Sequence, residues 1–214
     1  MKPELEAIDM PIPLGDVTLM GDLHVPQDAQ GLVLFAHGSG SSRKSGRNRA
    51  VASVLRSHGI GTLLFDLLTR QEDEVEDLRF DIPLLSARLT QVADRVHQDP
   101  RLTHLPIGLF GASTGAASAL NTAAARPVII KAVVSRGGRP DLALDACTKV
   151  LAPTLLLVGG LDGPVIDMNR EAFAELRCKK ELVIVPGATH LFEEPGKLEE
   201  VAELAVAWFG RHLH

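Results

Sequence analysis

Cysteine is scarce in this sequence: its 214 residues include only two, Cys147 and Cys178. Neither lies in a Cys-x-x-Cys pair or at the spacing of metal ligands, so the sequence predicts no disulfide framework and no metal site. We interpret both cysteines as reduced structural thiols, as expected of a cytoplasmic protein.

Long apolar runs are absent as well, and no stretch approaches the length of a membrane-spanning helix. Residues 1–6 are acidic and lack the apolar core of a secretory signal, which favours the cytoplasm and no membrane contact. The net charge of −5 argues against nucleic acid as a partner. The pattern G-x-x-x-x-G-K-[ST] does not occur, and this disfavours a P-loop nucleotide site.

What the sequence contains instead is a regular alternation of short apolar runs with amphipathic segments. Residues 8–25 alternate with period two, as in an antiparallel hairpin at a sheet edge. Buried strands are predicted at 32–36, 62–65, 107–110, 132–134, 154–158 and 182–185. Helices are predicted at 47–58, 81–98, 116–125, 142–150, 169–178 and from about 196. The alternation predicts an α/β fold in one domain over residues 1–214, with a mostly parallel central sheet and helices on both faces.

The segment G-A-S-T-G at 111–115 is the one match in the sequence to the nucleophile-elbow pattern G-x-S-x-G. An apolar run precedes it and an alanine-rich segment follows, so the expected context of strand, sharp turn and helix is present. The flanking glycines relieve Cβ clashes where the strand and the helix come close. Ser113 is therefore the candidate nucleophile.

Polar residues follow several of the predicted strands, at the carboxyl ends where parallel sheets carry their chemistry. His190, after the last strand, is the candidate base that removes the Ser113 proton, and Asp162 would hold its tautomer. Asp167 is the competing acid, but it lies nearer a helix start, where aspartate is more often a cap. Asp66 also ends a strand but precedes Ser113 along the chain, and we interpret it as structural.

An oxyanion intermediate needs two hydrogen-bond donors. The Thr114 N–H, directly after the nucleophile, is the first candidate. The loop H-G-S-G at 37–40 follows the strand 32–36, and the Ser39 N–H is the second candidate. We expect His37 and Gly38 of this loop to contact the substrate.

Several basic residues surround the predicted site: Arg136, Arg139, Arg43, Lys44, Arg47 and Arg49. One interpretation is solvated surface charge, or pairing with the acidic run at 72–77. The other is recognition of an anionic substrate, since a guanidinium can hold a carboxylate through two parallel hydrogen bonds. Arg136, after the strand that follows the elbow unit, is the best single candidate for substrate binding.

Four motifs occur in order: H-G-S-G at 37–40, G-A-S-T-G at 111–115, G-G-L-D at 159–162 and G-A-T-H at 187–190. Together they resemble the α/β-hydrolase superfamily, and within it the small serine hydrolases related to dienelactone hydrolase. Dienelactone hydrolase itself has cysteine at the nucleophile position, where this chain has Ser113. The resemblance implies an α/β-hydrolase fold and ester hydrolysis without a metal or an organic cofactor. Only residues 136–152 lie where a cap domain is normally inserted, so we expect no large cap and an open, shallow site.

The function that we expect is hydrolysis of small carboxylic esters through an acyl-enzyme. A thioesterase or acyltransferase with the same triad is one alternative. A catalytically inactive protein that uses the same fold to bind a partner is another, and the complete triad argues against it.

Overall fold

An eight-stranded sheet forms the centre of the protein, and a computed structural model describes residues 5–214. The strands in chain order are β1 Leu5–Leu14, β2 Val17–Val25, β3 Leu32–Ala36, β4 Gly61–Phe65, β5 Ile107–Ala112, β6 Ile130–Arg136, β7 Thr154–Gly159 and β8 Lys180–Val185. Their order across the sheet is β1-β2-β4-β3-β5-β6-β7-β8. The edge hairpin β1–β2 is antiparallel to the rest, whereas β3 to β8 run parallel. The predicted mostly parallel sheet is confirmed.

Helices cover both faces of this sheet. Their bounds are α1 Gly46–Ser57, α2 Arg70–Asp73, α3 Ile82–Gln98, α4 Thr114–Ala125, α5 Leu144–Cys147, α6 Gly163–Glu175 and α7 Lys197–His212, with 3₁₀ turns at Glu76–Phe80 and Pro140–Ala143. Helices α1 and α7 pack on one face around Trp208 and Phe209, and α3 to α6 contribute to the core on the other. None of these helices, within residues 5–214, is both long and apolar enough to cross a membrane.

The inner strands are apolar along their whole length because both of their faces are covered. Every residue of β3 is buried, and its side chains divide between the two cores. Leu34 packs on the α3–α4 side, whereas Val33 and Phe35 pack on the α1–α7 side. Phe35 meets Phe110 of β5 with ring centroids 4.9 Å apart. Continuous apolar runs, rather than alternation, are what such strands require.

Helix α6 differs from the sequence-based prediction. It begins at Gly163 and ends at Glu175, whereas the sequence suggested residues 169–178. Pro164 lies in its first turn, where the missing N–H costs nothing and the fixed φ suits a helix. Asp162 is therefore the residue directly before a helix. The segment 137–153 between β6 and β7 contains only a 3₁₀ turn and α5, so no cap domain is inserted there.

Both cysteines are free thiols. Cys147 is buried, and burial raises the pKa of its thiol to about 11. The protonated thiol is a poor nucleophile and a poor metal ligand.

Helix α4 approaches the end of β3 closely at Gly115. A Cβ atom on this glycine would lie 2.2 Å from the carbonyl oxygen of Ala36 and 2.6 Å from that of His37. Backbone atoms cannot move aside as a flexible side chain can, so no side chain fits there. The two elements make contact because residue 115 is glycine.

We therefore expect Gly115→Ala to lower the free energy of unfolding by about 1–3 kcal/mol or more, as overpacking does elsewhere. The matched control is Gly210→Ala in α7, where a Cβ would meet nothing within 4 Å. This control should leave stability unchanged or raise it by up to about 1 kcal/mol, because alanine favours helix. Urea unfolding measures both variants, and equal midpoints would contradict the close approach.

Candidate active site

Ser113 occupies the sharp turn between β5 and α4. Its backbone has φ 51° and ψ −124°, a conformation that residues other than glycine rarely adopt. Two bonds, one to the last residue of β6 and one to the segment after it, hold this backbone. The Ser113 N–H donates to the Arg136 carbonyl at 3.2 Å, and the Arg139 N–H donates to the Ser113 carbonyl at 3.0 Å. A strained residue held in place from both sides is typical of a functional site.

His190 and Asp162 lie side by side on the loops after β8 and β7. The His190 Nδ1 is 2.7 Å from the Asp162 Oδ2. The Leu161 N–H donates to the Ala188 carbonyl at 2.9 Å and so joins the two loops. The Asp162 side chain is 14% exposed and that of His190 is 37% exposed, so the carboxylate is shielded while the imidazole reaches solvent.

Asp167, the competing acid, lies elsewhere. It lies in α6, three residues after Pro164, and its side chain is 79% exposed. Its Oδ1 pairs with the Nη1 of Arg170 at 3.2 Å. The structure thus brings Asp162 to His190 and leaves Asp167 on the surface.

Ser113 and His190 line one open cavity of about 280 Å³. The other lining residues are Gly38, Ser39, Ser41, Ser45, Arg47, Asn48, Ala112, Arg136 and Leu191. Among residues 5–214, no three His, Cys, Asp or Glu side chains form a group that could hold a metal ion. The sequence-based prediction missed Ser45 and Asn48 at the start of α1, although a serine directly before a helical segment is a visible helix-start signal.

The loop 37–40 packs directly on the nucleophile. A Cβ on Gly38 would lie 2.9 Å from the Ser113 Cβ and 3.6 Å from its Oγ. The Ser39 N–H, predicted as an oxyanion donor, instead donates to the Thr114 Oγ1 at 2.9 Å and ties the loop to α4. The Thr114 N–H belongs to the first residue of α4, and such amides have no partner within the helix.

His37 has a different position from the one that we expected. It is buried, and its Nε2 must be an acceptor because the Leu67 N–H donates to it at 3.0 Å. Its Nδ1 therefore carries the proton and donates to the Gly38 carbonyl at 2.9 Å. Burial lowers the pKa of the ring, which keeps it neutral. With both nitrogens occupied by backbone groups, His37 positions the loop, and it is not among the described residues that line the cavity with Ser113.

Most of the basic residues near the cavity have acidic partners. Arg43 pairs with Asp9, Asp22 and Asp66, Lys44 with Asp9 and Asp22, Arg139 with Asp141, and Arg47 with Glu193. The acidic run at 72–77 is not their partner, contrary to one of our expectations. Its residues Glu72 and Asp73 pair with Arg88 and Arg79 instead.

Arg136 differs from these residues, because no acid among the described residues pairs with it. It is the last residue of β6, is only 7% exposed and lines the same cavity as Ser113. Within the described part of the chain, its Nε and Nη1 have no hydrogen-bond partner. Burial, with a smaller contribution from the Arg47 charge, lowers its pKa to about 10, so it is still a cation at neutral pH.

Comparison with known proteins gives matches to a family model, to curated proteins and to solved structures. The model of the dienelactone hydrolase family matches residues 22–212. A Mycobacterium tuberculosis protein, provisionally named phosphoribosyl transferase, is 53% identical over 211 residues, which are 99% of this chain and 48% of that protein. The chain thus spans about half the length of the curated relatives that it matches.

Solved structures match over almost the whole chain. The crystal structure of a dienelactone hydrolase from Anabaena variabilis is 53% identical, with a TM-score of 0.95 and 99% of both chains covered. Est1E from Butyrivibrio proteoclasticus is 18% identical, with a TM-score of 0.80 over 96% of this chain and 98% of that one. At that identity the second match supports the fold alone.

The bond from Ser39 to Thr114 can be tested by substitution. Thr114→Val keeps the shape of the side chain but leaves the Ser39 N–H without its acceptor, which should cost about 1–3 kcal/mol of unfolding free energy. Thr114→Ser keeps the hydroxyl and is the matched control, with a smaller loss expected. Chemical denaturation measures both, and a Val variant as stable as the wild type would show that the bond is not made.

Proposed function

The chain belongs to the dienelactone hydrolase family, and from this premise we propose that it hydrolyses small carboxylic esters with Ser113 as nucleophile. In this proposal His190 is the general base, and Asp162 orients it. The observation that carries the proposal is the 2.7 Å contact between His190 Nδ1 and Asp162 Oδ2, beside a cavity that Ser113 and His190 both line. We further propose that the protein acts in the cytoplasm and needs no cofactor.

The contact with Asp162 determines which nitrogen acts as the base. An ionised carboxylate only accepts hydrogen bonds, so Nδ1 of His190 carries the proton and Nε2 is left with a free lone pair. Nε2 takes the proton of the Ser113 hydroxyl as its oxygen attacks the ester carbonyl. The same proton then goes to the departing alcohol, and an acyl-serine ester remains. Nε2 then deprotonates a water molecule, whose oxygen attacks that ester. As the bond between the acyl carbon and the Ser113 oxygen breaks, Nε2 returns the proton to that oxygen, and the acid is released.

The negative charge on the tetrahedral oxygen needs donors that are already in place. The Thr114 N–H is the first. The Ser39 N–H can serve as the second if it exchanges the Thr114 hydroxyl for the oxyanion, since its present bond is to a side chain that can rotate. Gly38 allows this loop to lie against Ser113, because a side chain there would collide with the nucleophile.

Transfer of an acyl group to an acceptor other than water, or cleavage of a thioester, would use the same residues. Acyl-thioester substrates, compared with p-nitrophenyl esters of equal chain length, separate a thioesterase from an esterase. The name phosphoribosyl transferase belongs to a relative about twice as long as this chain. The match to the hydrolase family over residues 22–212 favours hydrolysis for the present chain.

Ser113→Ala should reduce the kcat for p-nitrophenyl acetate by about 10⁴- to 10⁶-fold, since a triad without its nucleophile retains little activity. It should also abolish labelling by a fluorophosphonate probe. The matched control is Ser57→Ala at the exposed end of α1, which should keep both. If the probe labels the wild type and Ser113→Ala is still active, Ser113 is not the nucleophile. If the probe does not label the wild type, a catalytically inactive protein is favoured.

Asp162→Asn should reduce kcat by about 10⁴-fold, because an amide in this position favours the wrong histidine tautomer. Asp167→Asn is the control, and this substitution should change kcat little because Asp167 is exposed and away from His190. Steady-state kinetics on the same ester compares the two variants. The opposite ranking would move the orienting role to Asp167.

A further inference from the structure

Arg136 is a buried cation for which the described residues provide no anion. Its guanidinium is nearly sequestered from solvent, and its Nε and Nη1 lack hydrogen-bond partners. Burial of an unpaired charge is strongly unfavourable, and natural proteins rarely tolerate it outside a binding or catalytic site. The proposed ester chemistry gives this side chain no role, since neither the proton transfers nor the oxyanion require it.

A second guanidinium lies close by. Arg47, in the first turn of α1, lines the same cavity, and its Nε is buried without a partner. Its Nη1 bonds at 2.9 Å to Glu193, whose side chain is largely exposed. One carboxylate at the surface cannot neutralise two cations, so this part of the cavity carries an excess of positive charge.

The start of α1 adds to this excess. Ser45 caps the helix by accepting from the Asn48 N–H at 3.4 Å, and the first turn contains no acidic residue. The partial positive charge of the helix N-terminus is therefore not offset by a side chain of its own first turn. Ser45 and Asn48 both line the cavity, and the Oδ1 of the buried Asn48 lacks a hydrogen-bond partner.

We propose that four residues form a positively charged phosphate pocket, which binds a phosphate monoester group of the substrate. These residues are Ser45, Arg47, Asn48 and Arg136. The inference rests on the proposed function, because the phosphate would anchor an ester whose carbonyl is presented to Ser113. A phosphate monoester carries nearly two negative charges and three terminal oxygens, which match two guanidiniums and a helix N-terminus. A carboxylate, with only two oxygens, would satisfy Arg136 and leave the buried Nε of Arg47 without an acceptor.

The Asn48 carboxamide adds a further requirement. Its unpartnered oxygen accepts a hydrogen bond, and an unprotonated phosphate offers none. A hydroxyl group next to the phosphate would supply the donor, so the preferred substrate is a small hydroxylated phosphate ester. The open cavity of about 280 Å³ accommodates a small ester of this kind. The phosphate does not react: one water is consumed, the carboxylic C–O bond breaks, and the phosphate stays on its carbon.

Binding can be measured without turnover by using the Ser113→Ala protein in a buffer free of phosphate. Isothermal titration with glycerol 3-phosphate should show saturable binding, and succinate at equal ionic strength should bind at least about tenfold more weakly. Arg136→Met in this background should weaken binding of glycerol 3-phosphate by about tenfold or more, the loss expected for charge-assisted hydrogen bonds. Arg56→Met is the control, because Arg56 is a half-buried arginine that lies outside the cavity, so its loss should leave binding unchanged.

Thermal melting guards against a variant that merely misfolds. Without ligand, Arg136→Met should melt no lower than its Ser113→Ala parent, because the change removes an unpaired buried charge. Glycerol 3-phosphate should raise the melting temperature of the parent and of Arg56→Met, but not that of Arg136→Met. Tight succinate binding, absence of binding, or equal affinity with and without Arg136 would each overturn the phosphate pocket. Hydrolysis of p-nitrophenyl acetate, measured separately, tests the esterase proposal and does not depend on this result.

Discussion

The contact between α4 and the end of β3 is the constraint on which the site depends. It forms because Gly115 has no side chain to collide with the carbonyl groups of Ala36 and His37. That approach places the hydroxyl of Thr114 within reach of the Ser39 N–H and places Gly38 against Ser113. A single backbone contact thus arranges the strained serine and the loop beside it, and the bonds to Arg136 and Arg139 hold the other side.

The sheet could be predicted because its inner strands are buried on both faces, and that burial demands uninterrupted apolar runs such as Leu32–Ala36. The sharp turn at Ser113 was predictable from its glycines. The start of α6 was not, since Pro164 resembles a break although a proline suits a first helical turn. The hydrogen-bond partners of Ser39 and His37 could not be predicted from the sequence either. They lie 75 and 30 residues away, and single hydrogen bonds between loops leave no periodic pattern.

The arginines near the cavity illustrate why residue type alone does not reveal function. Arg43 lies in the loop after β3 and is surrounded by acids from β1, β2 and the end of β4. Arg136 lies at the end of β6, where no described acid pairs with it. Arg43 joins parts of the fold, whereas Arg136 has hydrogen-bond donors without a partner among the described residues. One interpretation of the sequence offered the acidic run at 72–77 as a partner for both, and only the fold separates the two cases.

The bonds of Arg43 also bear on how the protein tolerates acid. The hydrogen bond from Arg43, followed by the interactions of Lys44, lowers the pKa of Asp9. Burial alone would raise the pKa of Asp22, but the hydrogen bonds from the Asp9 N–H and Lys44 outweigh burial, so this pKa is lowered too. A carboxyl group whose pKa is lowered by folding stabilises the fold at pH values above its ordinary pKa of about 4. This stabilisation is lost as the pH falls through the lowered pKa. Arg43 follows closely on the loop beside Ser113. Acidification would therefore loosen the anchorage of that loop and of the edge hairpin together.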